Sequence, residues 1–159
     1  MAAGALAVVL AVMQSGRPAA RMARLTRLLE RAARRTLGPA TADRARQAVH
    51  AVRRVGLLTP GRVACLEESA AVVLMLAASR QGVTWCHGVT VSRCHGVTAD
   101  PIRLHAWVET AGQPVAELKS TTRYTVLRII DGTGQRRRSP SAWRTTARPR
   151  RSCGYAARK

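Results

Sequence analysis

A chain of 159 residues has room for one ordinary domain with a modest hydrophobic core. Apolar residues make up 47% of it, which excludes a compositionally disordered polypeptide, and with aromatics at 3% and no Phe the core has to be assembled from Ala, Val, Leu and Ile. Against 8 acidic side chains stand 27 basic ones, 25 of them Arg, and the resulting formal charge of +19 draws polyanions or an acidic peptide at low salt without naming a partner.

Gly4 to Met13 is an apolar run of ten residues, too short to span a bilayer. No basic segment precedes it and no small-x-small cleavage site follows, so it is not read as a signal peptide. Residues 1–18 are expected as an N-terminal apolar helix or arm, and the cytoplasm is the default address. From Ala19 to Leu37, Met22, Leu25, Leu28, Leu29 and Ala32 recur at three- and four-residue steps while Arg21, Arg24, Arg27, Arg31 and Arg34 fill the other face, which predicts an amphipathic helix stopped by Gly38-Pro39. Thr41 is placed to cap a second helix to about Val55, with Ala45, Ala48, Val49 and Val52 inward. Leu57 to Gly61 reads as a turn. A third helix from about Ala64 to Arg80 is the most apolar segment and is predicted to be buried on most sides, with Gly82 ending it.

Beyond Gly82 the period changes from 3.6 to short β-like runs at Val83–Thr90, Leu104–Thr110, Pro114–Leu118 and Tyr124–Ile130, with Gly112-Gln113 where a tight hairpin belongs. Helices followed by an antiparallel meander predict an α+β fold over residues 19–130. Two stretches depart from that pattern. Cys86-His-Gly-Val-Thr90 is repeated as Cys94-His-Gly-Val-Thr98, a spacing far too short for a solenoid unit and read as a tandem duplication that lengthens one loop or hairpin. Residues 131–159 carry nine basic side chains and one acid, among Ser, Thr and Pro, and are expected as a disordered basic tail.

Four cysteines spread through a chain of this size do not suggest a disulfide scaffold. Cys86, His87, Cys94 and His95 are zinc-ligand types. However, adjacent residues of a strand point to opposite faces and the close Cys-x(2–4)-Cys clip is missing, so no metal is expected. The arginine clusters permit non-specific contact with nucleic acid, yet no helix-turn-helix, zinc finger or aromatic-rich sheet accompanies them.

Cys65 stands at the start of the apolar helix, where free N–H groups and the positive dipole end favour a thiolate. A cysteine nucleophile needs a base in reach and an acceptor that orients the base. His105 lies on the predicted strand Leu104–Thr110. Glu117 lies across the Gly112 turn and could share its face, while Glu109, on the strand of His105, has no cross-strand partner to set it there. Trp85, Trp107 and Tyr124 are candidates for a substrate groove or for the core; Trp107 is assigned to the core and Trp85 is left open. Glu67, Glu68 and Ser69 in the first helical turn are read as favourable charge–dipole placement.

Cys65-Leu66-Glu67-Glu68-Ser69 opening an apolar helix, then Gly82 and Trp85, Asp100-Pro101, His105-Ala106-Trp107-Val108-Glu109 and Gly112-Gln113-Pro114-Val115-x-Glu117, resemble the leader peptidase of lasso-peptide biosynthesis, a transglutaminase-like cysteine peptidase. The resemblance covers roughly residues 20–130 and is strongest from 60 to 118. It implies a cysteine peptidase with Cys65 as nucleophile, His105 as general base and Glu117 as third residue, working without a metal or organic cofactor. It also implies three partners: a precursor leader peptide, a small leader-recognition protein and a lasso cyclase. Position 117 usually holds Asp in that family, the second CHGVT copy lengthens the route from Cys65 to His105, and the basic tail is an extension. Acyl transfer to an amine and a non-catalytic nucleic-acid-binding role are the alternatives.

Overall fold

The computed structural model describes residues 1–90 and 102–134. Four helices, α1 (Ala2–Gln14), α2 (Arg21–Ala33), α3 (Ala42–Leu57) and α4 (Cys65–Ala78), precede the main sheet, and short strands β1 (Gly38–Pro39) and β2 (Gln81–Gly82) pair in parallel between them. The sheet proper contains β3 (Thr84–Thr90), β4 (Arg103–Thr110), β5 (Gln113–Pro114) and β6 (Thr125–Asp131) in the order β5-β4-β3-β6, with every neighbouring pair antiparallel. The α+β architecture expected from the change of period is what forms.

α4 is apolar all round, and a helix of that kind belongs in the middle of a domain. Ser69, Ala70, Ala71, Val72, Val73 and Leu76 are all buried, with α1, α2 and α3 packed on one side and β3 and β4 on the other. Leu6 and Val9 of α1 enter the same core as Leu25 and Leu29 of α2 and Ala45, Ala48, Val49 and Val52 of α3. Thr41 caps α3, its hydroxyl accepting from the Arg44 N–H at 3.3 Å. Across the sheet, Trp85, Ala106, Val108 and Ile130 form the face that joins this core. Among the described residues no helix is long and apolar enough to cross a membrane.

Several boundaries differ from expectation for local reasons. α2 begins at Arg21 after a single 3-10 turn, Pro18–Ala20, and stops at Ala33, so that Gly38-Pro39 forms a strand instead of ending a helix. α4 ends at Ala78, ahead of Gly82, because Arg80 takes a left-handed φ of 55°. Gly82 is needed for a different reason: a Cβ there would sit 1.7 Å from the Gly132 carbonyl oxygen, so the chain after β6 can lie against β2 only where no side chain intervenes. The predicted strand Pro114–Leu118 shrinks to the two residues of β5. The first CHGVT copy is the body of β3. The second copy, Asp100-Pro101 and the basic segment from residue 135 onward lie outside the described residues.

Candidate active site

Cys65 is the first residue of α4, preceded by Ala64 with extended backbone. The Glu67 carboxylate accepts from the Ala64 N–H at 3.2 Å, the reciprocal half of a capping box, and this fixes the helix start. Backbone N–H groups of the first turn lie outside the helical ladder, so the sulfur sits in a field of unpaired donors. Leu66 and Ala106 both donate backbone hydrogen bonds to it, and the second of these ties the helix tip to the middle of β4.

The register of β4 on β3 pairs Gly88 with His105 and Cys86 with Trp107. By strand alternation His105, Trp107 and Glu109 share one face, opposite the Ala106 and Val108 side chains that enter the core. The His105 and Trp107 rings stack at 5.8 Å between centroids and 17° between planes, and Tyr124 tilts against His105 at 5.2 Å. Gly88 makes room for this arrangement, since a Cβ there would lie 2.9 Å from the tip of the Trp107 ring.

Glu117 reaches His105, but not in the way hairpin pairing predicts. The hairpin turn at Ala111 and Gly112 has φ values of 50° and 75°, as a two-residue primed turn requires. Continuing the observed register, with Glu109 opposite Pro114, would set Leu118 against His105 and turn Glu117 to the wrong face. Instead the ladder breaks off after the Val115 N–H donates to the Val108 carbonyl, and Ala116 adopts a left-handed φ of 53°. That twist brings the Glu117 Oε2 to 2.9 Å from His105 Nε2. A second hydrogen bond joins the same ring to the Cys65 thiol.

The electrostatics follow from these contacts. Hydrogen bonding to His105 holds the Cys65 thiol below its ordinary value, against the opposing effect of partial burial. The same contact with Cys65, followed by that with Glu117, pushes His105 up to about 9 although burial works the other way. Each shift favours the charged form of its group, so the contact works toward a thiolate–imidazolium pair, the reactive form of a cysteine nucleophile.

Arg53, on α3, carried no signal in the sequence because it is one Arg among 25. Its Nη2 donates to Glu117 Oε1 at 2.7 Å, its Nη1 to the Ala116 carbonyl at 2.8 Å, and its Nε lies 3.4 Å from Glu68 Oε2. Together with Cys65, Glu117 and Trp107, Arg53 and Glu68 line a small pocket to which Val49, Val72 and Val108 add apolar surface. Glu68 therefore has a specific partner beyond the helix dipole, and so does Ser69, whose hydroxyl accepts from Trp85 Nε1 at 2.9 Å. Trp85, left open from the sequence, is a wholly buried core residue. Trp107, assigned to the core, is buried but stacks on His105 and lines the pocket, so it belongs to both. Glu109 is buried and accepts from Trp107 Nε1 at 2.8 Å, bracing the stacked ring from its own strand. No group of three or more potential metal-ligating side chains gathers among the described residues, and Cys94 and His95 lie outside them.

No curated protein and no solved structure matches the chain. A family model does match, and it runs over residues 7–129, from the apolar first helix through β6 and across the whole Cys65, His105 and Glu117 arrangement. The chain is a member of the transglutaminase-like superfamily.

Proposed function

We propose that this protein is a cysteine peptidase that removes the leader from a ribosomally made lasso-peptide precursor, with Cys65 as nucleophile, His105 as general base and acid, and Glu117 as the carboxylate that orients it. One observation carries the proposal: the His105 ring hydrogen-bonds both Cys65, at the start of a helix, and Glu117. The Cys65 thiolate adds to the carbonyl carbon at the leader–core junction, and the oxyanion is held by backbone N–H groups of the first turn of α4. The imidazolium gives its proton to the departing core amine as the C–N bond breaks, leaving the leader as a thioester on Cys65. His105 then takes a proton from water, hydroxide adds to the thioester, and the leader leaves as a free acid while Cys65 is restored. This chemistry draws on no metal or organic cofactor.

The partners in this scheme are the precursor leader peptide, a small leader-recognition protein that presents it, and a lasso cyclase that closes the new amino terminus onto a side-chain carboxylate. The setting is cytoplasmic, and contact with nucleic acid is non-specific. The test is incubation of the purified chain with the precursor and recognition protein encoded beside it, read by mass spectrometry against Cys65→Ala. Wild type is expected to release leader acid and core, and Cys65→Ala to leave the precursor intact. Intact precursor with both proteins would overturn the assignment. A leader amide formed with an added amine, in place of the acid, would redirect it to acyl transfer.

A further inference from the structure

We infer that Arg53 is a positioning residue of the active site, a clamp from α3 that fixes the Glu117 carboxylate against His105. Glu117 needs such a clamp because it stands on no regular element. β5 ends at Pro114, the residue before Glu117 is in a left-handed conformation, and a 3-10 turn, Lys119–Arg123, follows. A glutamate in that setting has three free side-chain torsions and a short stretch of unpaired backbone to place it. Arg53 restrains both. One arm of its guanidinium holds the Ala116 carbonyl and the other holds Glu117 Oε1, so a single planar group sets the backbone and the carboxylate together. The third nitrogen faces Glu68 on α4, one turn beyond Cys65. The clamp thus spans the two helices and the loop, and it leaves Glu117 Oε2 as the oxygen that meets His105 Nε2.

The charged and titratable groups around the His105–Glu117 contact are Cys65, Glu68 and Arg53, with Tyr124 tilted against the His105 ring. The elevation of His105 owes its second-largest share to the Glu117 hydrogen bond. Releasing Glu117 therefore lowers the imidazole's affinity for its proton.

This inference rests on the assignment of Cys65 and His105 given above, and its test separates the two. The His105 imidazole is titrated by NMR in the wild type, Arg53→Met, Arg53→Lys and Arg46→Met. The last removes an equal charge from an exposed pair on the same helix. Wild type is expected to titrate at about 9. Arg53→Met is expected to titrate lower by roughly one unit or more, on its way to the ordinary imidazole value, with Cys65 alkylation at pH 7 falling by about tenfold. Arg53→Lys is expected to follow Met, because an ammonium lacks the planar fork, and Arg46→Met is expected to follow wild type. Melting curves establish that each variant is folded, and should Arg53→Met not fold, Arg53→Lys decides alone. An unshifted His105 in the folded Arg53 variants overturns the clamp. So does rescue by Lys, which would show that charge without the fork suffices, or an equal shift in Arg46→Met, which would show an effect of net charge. A wild-type His105 titrating near 6.5 would instead remove the active-site assignment itself.

Discussion

Hydrogen bonds to Glu117 and Cys65, with the Trp107 and Tyr124 rings resting against it, leave the His105 ring little freedom. The charge state follows from the same contacts. A raised imidazole value means that His105 keeps its proton until the pH climbs through about 9, and a lowered thiol value means that Cys65 keeps its negative charge until the pH falls through that lowered value. The ion pair therefore exists between the two, and activity is expected to rise through the lowered thiol value and to fall along an alkaline limb near pH 9. Glu117→Gln keeps the shape and the hydrogen bond but removes the charge. Its alkaline limb is expected to move to lower pH, with the acid limb moving up as the weaker imidazolium supports the thiolate less. An unmoved alkaline limb, measured as the pH dependence of single-turnover cleavage or of Cys65 alkylation, would show that Glu117 does not act on His105.

The element that decides the geometry is the β3–β4 pair. The His105 and Trp107 side chains lie over Gly88 and Cys86, and the strand bends at the register shift between His87 and Gly88 where β6 joins. A methyl group at residue 88 would press on Trp107 from one side and, at 2.9 Å, on the Thr125 carbonyl of β6 from the other. Gly88→Ala is expected to cost about 1–3 kcal/mol of stability, the usual range for overpacking, and to slow Cys65 alkylation by tilting the ring on which His105 stacks. Chemical denaturation together with alkylation kinetics reads both effects, and a fully stable, fully reactive variant would show that the ring has somewhere else to go. This level of organisation was only partly legible beforehand. The periodicity of α2 and α3 names Leu25, Leu29, Ala32, Ala45, Ala48, Val49 and Val52 as inward, because burial imposes that pattern directly. The placement of Glu117 was not legible in the same way. It depends on Ala116 entering a conformation that alanine has no intrinsic reason to adopt, and on an arginine from a helix far away in the chain. Motif spacing could name Glu117 without revealing what brings it to the site.

At the scale of the whole molecule, charge is distributed unevenly. Four of the 8 acidic residues, Glu67, Glu68, Glu109 and Glu117, belong to the site or its immediate support, and each has a specific partner there. The arginines largely lie elsewhere: Arg27, Arg31, Arg34 and Arg35 stand exposed along and just past α2, on the side away from the buried Leu25 and Leu29. Attraction of polyanions to exposed guanidinium groups and the proposed chemistry at Cys65 therefore call on different groups, and they are expected to respond to different variables. Binding to a DNA or heparin column works through exposed guanidinium groups and counterion release, so it is expected to fall steeply with ionic strength, by roughly three orders of magnitude or more between 50 and 200 mM salt if about six phosphates are contacted. It should be the same in wild type and Cys65→Ala. The thiolate–imidazolium pair is partly buried and its partners are in direct contact, so screening reaches it weakly. Cys65 alkylation at pH 7 is expected to change less than about twofold over the same salt range. Were alkylation to track salt as closely as column retention does, the low thiol value would come from the diffuse field of a +19 chain and not from His105, and the local geometry would lose its claim on the chemistry.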